Sequence, residues 1–315
     1  MNVFRSFITK YKIVITTVAV LITVGAGYYL FQTKTEAEQD ITDPLTPVTT
    51  GIEDVETVNS THETTHEQTT DYQWNTNTTT TINLEGSTIT SQSSGVMISG
   101  TTATISEDGS YMLSGLLDDG QIVVDTTYED KGTIKLILND AQITNTTTSP
   151  IYIKNAGKVI IILVDGTSNT ITDSRATAAD DVEDGLTAAI YSKSDLSIGG
   201  NGSLVVNGSY KDGITSKDGL IIENTNIDVK ASDDGIVGKD YLVLTNTKIT
   251  ADVSGDGLKS SNETDAGRGY ITITDSNLNI DSGSDAVQAA TDITIDGGVY
   301  DFTTASGSNY LTASS

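Results

Sequence analysis

Five aspartates in this 315-residue chain recur in one local context. They are Asp184 before Gly185-Leu186, Asp212 before Gly213-Ile214, Asp234 before Gly235-Ile236, Asp256 before Gly257-Leu258 and Asp285 before Ala286-Val287. Read at the aliphatic position, the last four are separated by 22, 22 and 29 residues, and the longer step holds the insertion Glu263–Gly269. Asp184 sits just ahead of this register, because Ile190-Tyr191-Ser192-Lys193 aligns with Ile214-Thr215-Ser216-Lys217 at a step of 24. If successive repeats stack about 4.8 Å apart, as neighbouring strands do, Asp212, Asp234, Asp256 and Asp285 form a column. Asp233 then lies beside it and Asp184 near its start. Such carboxylates repel by about 1 kcal/mol per neighbouring pair even in water. A hard cation removes that cost, and Ca²⁺, with oxygen ligands at about 2.3–2.6 Å, fits midway between two of them. The other reading is that Asp-Gly supplies turn chemistry alone, the side chain bonding its own backbone. Asn would serve that purpose equally well. Two familiar calcium loops are absent: there is no D-x-D-x-D-G with a distal Glu, and Gly199-Gly200-Asn201-Gly202-Ser203 lacks the Asp of the nonapeptide repeat.

A second repeated set is basic. Ile151…Lys154, Ile190…Lys193, Ile214…Lys217 and Ile236…Lys239 share an I-x-x-K spacing, and Asp218 and Asp240 follow two of these lysines. A lysine row standing beside the acid column could hold the carboxylates of an acidic polysaccharide while calcium bridges from the acids. Alternatively, the lysines are solvated partners of neighbouring Asp. Tyr191 and Tyr241 flank the same face and could stack on sugar rings. His62-Glu63-Thr64-Thr65-His66 spells the zinc-protease signature H-E-x-x-H, yet its flanks offer no apolar face for a buried helix and no third His exists. The match is read as a coincidence in a polar spacer, and a protease is rejected.

The elements that must position these rows are short strands. LSI (196–198), LII (220–222), LVL (242–244) and ITI (271–273 and 293–295) occupy one place in the repeat. LVV (204–206), IDV (227–229), ITA (249–251), LNI (278–280) and VYDF (299–302) occupy the next. Period-two runs broken by polar turns are strands, and three of them in about 22 residues make one coil of a parallel β-helix. The expected fold is therefore all-β, a right-handed parallel β-helix over residues 81–315. YMLSG, QIVVD, TIKLILND, PIYIK and KVIIILVDG form less regular early coils. Ahead of it, residues 33–80 read as a Thr-rich, acidic, disordered linker. Within residues 1–32, the uncharged run 13–31 follows Arg5, Lys10 and Lys12, which suits a transmembrane anchor or a cleaved signal peptide. Either places the remainder outside the cell, tethered or secreted. All 43 acidic residues follow Lys34, with 13 of the 17 basic ones, a formal charge of −30 beyond that point. That balance excludes nucleic acid as a partner, and a cysteine count of 0 excludes thiolate nucleophiles, disulfides and Cys zinc sites.

The strings KLILNDAQITN, SPIYIKNAGKVIIILVDGTSNTITD, DGITSKDGLIIENTNIDVKASDDGIVGKDYLVL and GDGLKSSN carry a resemblance. From about Ser110 to Thr303 the chain resembles a secreted carbohydrate-binding β-helix family known from cellulose-degrading clostridia, with DDGIVGKD as its most specific block. The resemblance implies binding of cellulose- and polygalacturonate-type glycans, a fold like that of polysaccharide lyases, and calcium in acidic turns at Asp212, Asp233, Asp234 and Asp256. Ala286 replaces the turn Gly beside Asp285, which weakens the parallel there. The expectation is a monomeric, calcium-dependent, non-catalytic polysaccharide-binding protein whose only membrane contact is its N-terminal helix. The alternatives are a calcium-dependent lyase using Lys217, Lys239 or Arg268 as base, and a structural surface adhesin.

Overall fold

In the computed structural model of the protein, the described residues are 12–13, 62–126, 132–176, 185–305 and 307–313. The expected N-terminal helix, the linker up to residue 61 and Asp184 lie outside them. Lys12–Ile13 alone is described, paired antiparallel with Asp301 and Tyr300. Among the described residues every element is a strand, and no helix is long and apolar enough to cross a membrane.

The repeat folds as a parallel β-solenoid of two sheets, one 17-stranded and one 10-stranded. Three columns of strands run along it. Column I contains Lys158–Leu163, Asp195–Gly199, Gly219–Glu223, Tyr241–Thr245, Tyr270–Thr274 and Ile293–Asp296. Column II contains Ser168–Asp173, Ser203–Gly208, Asn226–Ala231, Lys248–Val253, Asn277–Ser282 and Val299–Thr304. Column III contains Gln121–Asp125, Ile151–Asn155, Ala188–Ser192, Asp212–Ser216, Ile236–Gly238, Leu258–Ser260, Val287–Ala289 and Leu311–Ala313. In column III, Ile190 pairs with Ile214, Ile214 with Ile236, Ile236 with Leu258 and Leu258 with Val287, the register anticipated from the spacing. Alternate residues point inward, so Leu196, Leu220, Leu242 and Ile271 stack in one continuous aliphatic core.

Corners follow from residue type. Between columns I and II the chain turns through a left-handed residue, Asn224 (φ 51°), Asn246 (φ 49°) and Asp275 (φ 49°), which short polar side chains tolerate. The 13-residue strand Thr133–Asn145 passes this corner at Asp140 (φ 54°), joining columns I and II into one sheet. At the N-terminal end, antiparallel pairing of Thr79–Gly86 with Ile89–Ser91 and of Val96–Ser99 with Thr102–Ile105 covers the first coil edge.

Residues 62–78, expected within a disordered linker, instead form a strap along the outside of column I. His62 stacks on Tyr270 with ring centroids 4.0 Å apart. His66 reaches Tyr241 and Ser197 at 2.7 and 2.8 Å. Lys158 binds Asp71 at 2.7 Å, and Lys135 donates to the carbonyls of Thr70 and Gln73. Beneath its last part Ile137, Ile160 and Ile162 are buried on the outer face against Tyr72 and Trp74.

Candidate functional site

The acid column forms at the start of the column III strands, but its bonding differs from both sequence readings. Asp212 Oδ1 accepts the N–H of Asp234 at 3.4 Å, Asp234 Oδ1 that of Asp256 at 2.8 Å, and Asp256 Oδ1 that of Asp285 at 3.0 Å. Asp285 Oδ1 accepts the N–H of Asn309 at 2.7 Å. Each carboxylate therefore pairs a corner amide of the next coil rather than its own turn. Nor does a gap for a cation open at every step. Lys259 Nζ stands 2.9 Å from Asp234 Oδ2 and 2.8 Å from Asp256 Oδ2, so an ammonium already bridges that pair. Burial alone would lower the Lys259 pKa, but the hydrogen bonds it donates to Asp256 and Asp234 outweigh it and hold the amine firmly protonated.

Asp234, beside its contact with Lys259, also belongs to a compact acidic group. Asp212, Asp233 and Asp234 each offer an oxygen within 4.8 Å of the others. Asp212 is nearly buried, and burial with the charges of Asp234 and Asp233 pushes its carboxyl up to about 6, against the Thr215 hydroxyl at 2.8 Å. Asp233 is exposed, so a cation there would keep positions open to solvent. The donor set is oxygen only and anionic, which fits Ca²⁺. A Cβ on Gly255 would lie 2.5 Å from Asp234 Oδ1 and 2.8 Å from Asp233 Oδ1, so glycine there leaves the group its space. An ion at this corner would be held by Asp212, Asp233 and Asp234, whereas Lys259 already bridges Asp234 and Asp256.

Lys193, Lys217 and Lys239 are exposed at the opposite end of the column III strands, in register on successive coils. At about 3.3 Å per residue, the five residues from Asp212 to Lys217 place the rows about 16 Å apart. They flank one face instead of standing side by side. Lys154 is withdrawn from the row by Asp125 at 2.6 Å. Asp218 and Asp240 do not pair with the lysines: Asp240 is buried against Arg268 and Asn262, and burial plus a hydrogen bond to Asp240 pushes Asp218 up to about 6.

Neither expected tyrosine stands on the open face. Tyr241 is 3% exposed, lies under the strap and bonds His66; Tyr191 is 5% exposed, near Tyr152 and beneath Lys217. Neither presents a free ring to a sugar. The H-E-x-x-H residues serve different coils: His62 faces Tyr270 and Asp292, while both ring nitrogens of His66 are engaged by Tyr241 and Ser197. Sequence reading missed Lys259, whose signal was its place one residue after the aliphatic position, in register with Thr215 and Val237.

Residues 99–315 match a family described as carbohydrate-binding domain-containing protein. A protein of that description from Acetivibrio thermocellus is 42% identical over 138 residues, 44% of this chain and 48% of the relative, so the chain spans about half that relative's length. A solved structure of a polysaccharide lyase-like protein from C. thermocellum, a gadolinium derivative, matches with a TM-score of 0.67 at 30% identity. The match covers 75% of this chain and 94% of that one. The strap of residues 62–78 precedes the region matched by the family.

Proposed function

The chain belongs to the family of carbohydrate-binding domain-containing proteins, and from that premise we propose that it binds an acidic, pectin-like polysaccharide outside the cell, as a monomer and without turnover. The observation that carries this reading is the exposed row Lys193, Lys217, Lys239, repeated once per coil. In a chain of formal charge −26, a polyuronate needs local positive charge to approach. A spacing of about 4.8 Å along the row suits successive sugar residues, and several weak contacts in register add through effective concentration. Ca²⁺ at Asp212, Asp233 and Asp234 would brace the opposite edge, and exposed Asp233 leaves it positions for glycan oxygens.

Lyase chemistry is disfavoured by the placement of the bases. It needs a basic side chain able to take a proton beside the metal. Lys259, the cation at the acid corner, is held protonated by two carboxylates. Lys217 and Lys239 stand at the other edge, and Arg268 is tied to Glu63 and Asp240.

The test is retention of the protein on immobilised polygalacturonate. Retention should fall with salt and with the double variant Lys217→Ala, Lys239→Ala, and no unsaturated uronate should accumulate. Retention unchanged in the double variant sinks the reading. Unsaturated product would move the protein to the lyase class.

A further inference from the structure

Where the strap reaches the corner between columns I and II, it builds a cavity of about 560 Å³ with the coil surface, within the usual range for a small-ligand site. Its apolar side is Tyr72, Trp74 and Ile162; its rim carries Asp165, Asn201 and Asn224. The indole of Trp74 packs in the outer cluster of Ile137, Ile160 and Ile162 yet stays half-exposed toward the cavity. Asn224 holds its corner in the left-handed conformation and is exposed. The rim groups are only partly engaged. Asn201 Nδ2 donates to Asp165 Oδ1 at 3.1 Å, and Asn224 Oδ1 accepts from Asn246 at 2.9 Å. Asn201 Oδ1, Asp165 Oδ2 and Asn224 Nδ2 therefore remain to accept and donate toward the cavity.

We infer that this cavity binds one neutral pyranose unit of a glycan, separately from the lysine row. A pyranose offers C–H groups on its face to an aromatic ring and hydroxyls at its edge, which both donate and accept; the cavity has both surfaces. Charge sets the class. No Lys or Arg lines the cavity, and neighbouring Lys135 is held by the Thr70 and Gln73 carbonyls. Asp165 on the rim repels a uronate. The site depends on Tyr72 and Trp74, which precede the region matched by the family.

Trp74 is the chain's single tryptophan, so its fluorescence reports this cavity alone. The whole protein is titrated with cellohexaose, mannohexaose, xylohexaose and hexagalacturonate. At least one neutral oligosaccharide should shift Trp emission, while hexagalacturonate should not. Calorimetry should show that binding lost with Trp74→Ala, weakened about tenfold with Asn201→Ala plus Asn224→Gly, glycine keeping the left-handed corner, and unchanged with Lys217→Ala plus Lys239→Ala. The asparagine variant leaves the ring packing in place, so it tests the site even if Trp74→Ala disturbs the fold. A shift with hexagalacturonate alone, no shift with any neutral sugar, or full affinity in the asparagine variant overturns the inference. Loss of polygalacturonate retention in the lysine variant concerns the other site and leaves this outcome readable.

Discussion

At Gly213, Gly235 and Gly257 the glycine of the Asp-Gly repeat is required by contact. None of the three has a positive φ. A Cβ on Gly213 would lie 2.7 Å from the carbonyl oxygen of Gly235, and one on Gly235 would lie 2.5 Å from that of Gly257. Gly235→Ala should therefore destabilise by about 1–3 kcal/mol, as overpacking does; an unchanged melting temperature would refute the contact argument. The repeat spacing made the column legible, because side chains in register must stack. Its chemistry was less legible, since a carboxylate that pairs the next coil's amide looks in sequence like one that serves its own turn. Lys259 was hidden for a similar reason: its partner Asp234 is 25 residues away. Removing that ammonium as Lys259→Met leaves Asp234 and Asp256 facing each other. Stability in chelator should fall by about 2 kcal/mol, and added calcium should raise the melting temperature more than in the parent. Equal calcium shifts in the two proteins would count against cation binding at this corner.

Among elements, the strap was the one sequence reading misplaced. Residues 62–78 hold no periodic pattern, because contacts such as His66 to Ser197 and Arg268 to Glu63 are made one side chain at a time to different coils. The signal lay in the surface beneath. Lys158–Leu163 reads KVIIIL and is buried at every position, so both faces of that strand are covered. The strap also carries a pH-sensitive contact. Burial, a hydrogen bond to Glu67 and the charges of Glu67 and Asp71 push the Glu223 carboxyl from 4.5 up to about 7. Of the cations that reach the strap, Lys158 is engaged by Asp71 and Lys135 by strap carbonyls. A carboxyl whose folded pKa is raised contributes stability that is complete below the unfolded value. That contribution is lost as pH rises through the folded value. Between pH ~5 and pH ~8 the strap should therefore loosen. Amides of residues 62–74 should lose exchange protection, after correction for intrinsic rates, and Glu223→Gln should flatten the change. Protection that rises with pH would contradict the assignment.

On the scale of the molecule, the solenoid turns a residue spacing into a distance, and this makes the glycan proposal quantitative. Four lysines share the I-x-x-K pattern, but their surroundings divide them. Lys154 is drawn off by Asp125, and beyond Lys239 the same corner position is Ser261, whose N–H bonds the Lys239 carbonyl. The usable row is therefore Lys193, Lys217 and Lys239, two coil steps, or about 10 Å. A uronate oligomer lying along the axis gains a charge contact with each added sugar only until it spans those steps. Affinity of polygalacturonate fragments should therefore climb steeply from the monomer to about the trimer, then flatten into the slow gain expected from extra binding registers. Substituting Lys239 by Ala should shorten the climb by one sugar. Replacing Ser261 by Lys should lengthen it by one, since the insertion Glu263–Gly269 begins only beyond that position. Calorimetry on a graded series of oligogalacturonates measures all three curves. If affinity continues to rise steeply well beyond the trimer, or if Ser261→Lys leaves the curve unchanged, the glycan does not run along this row.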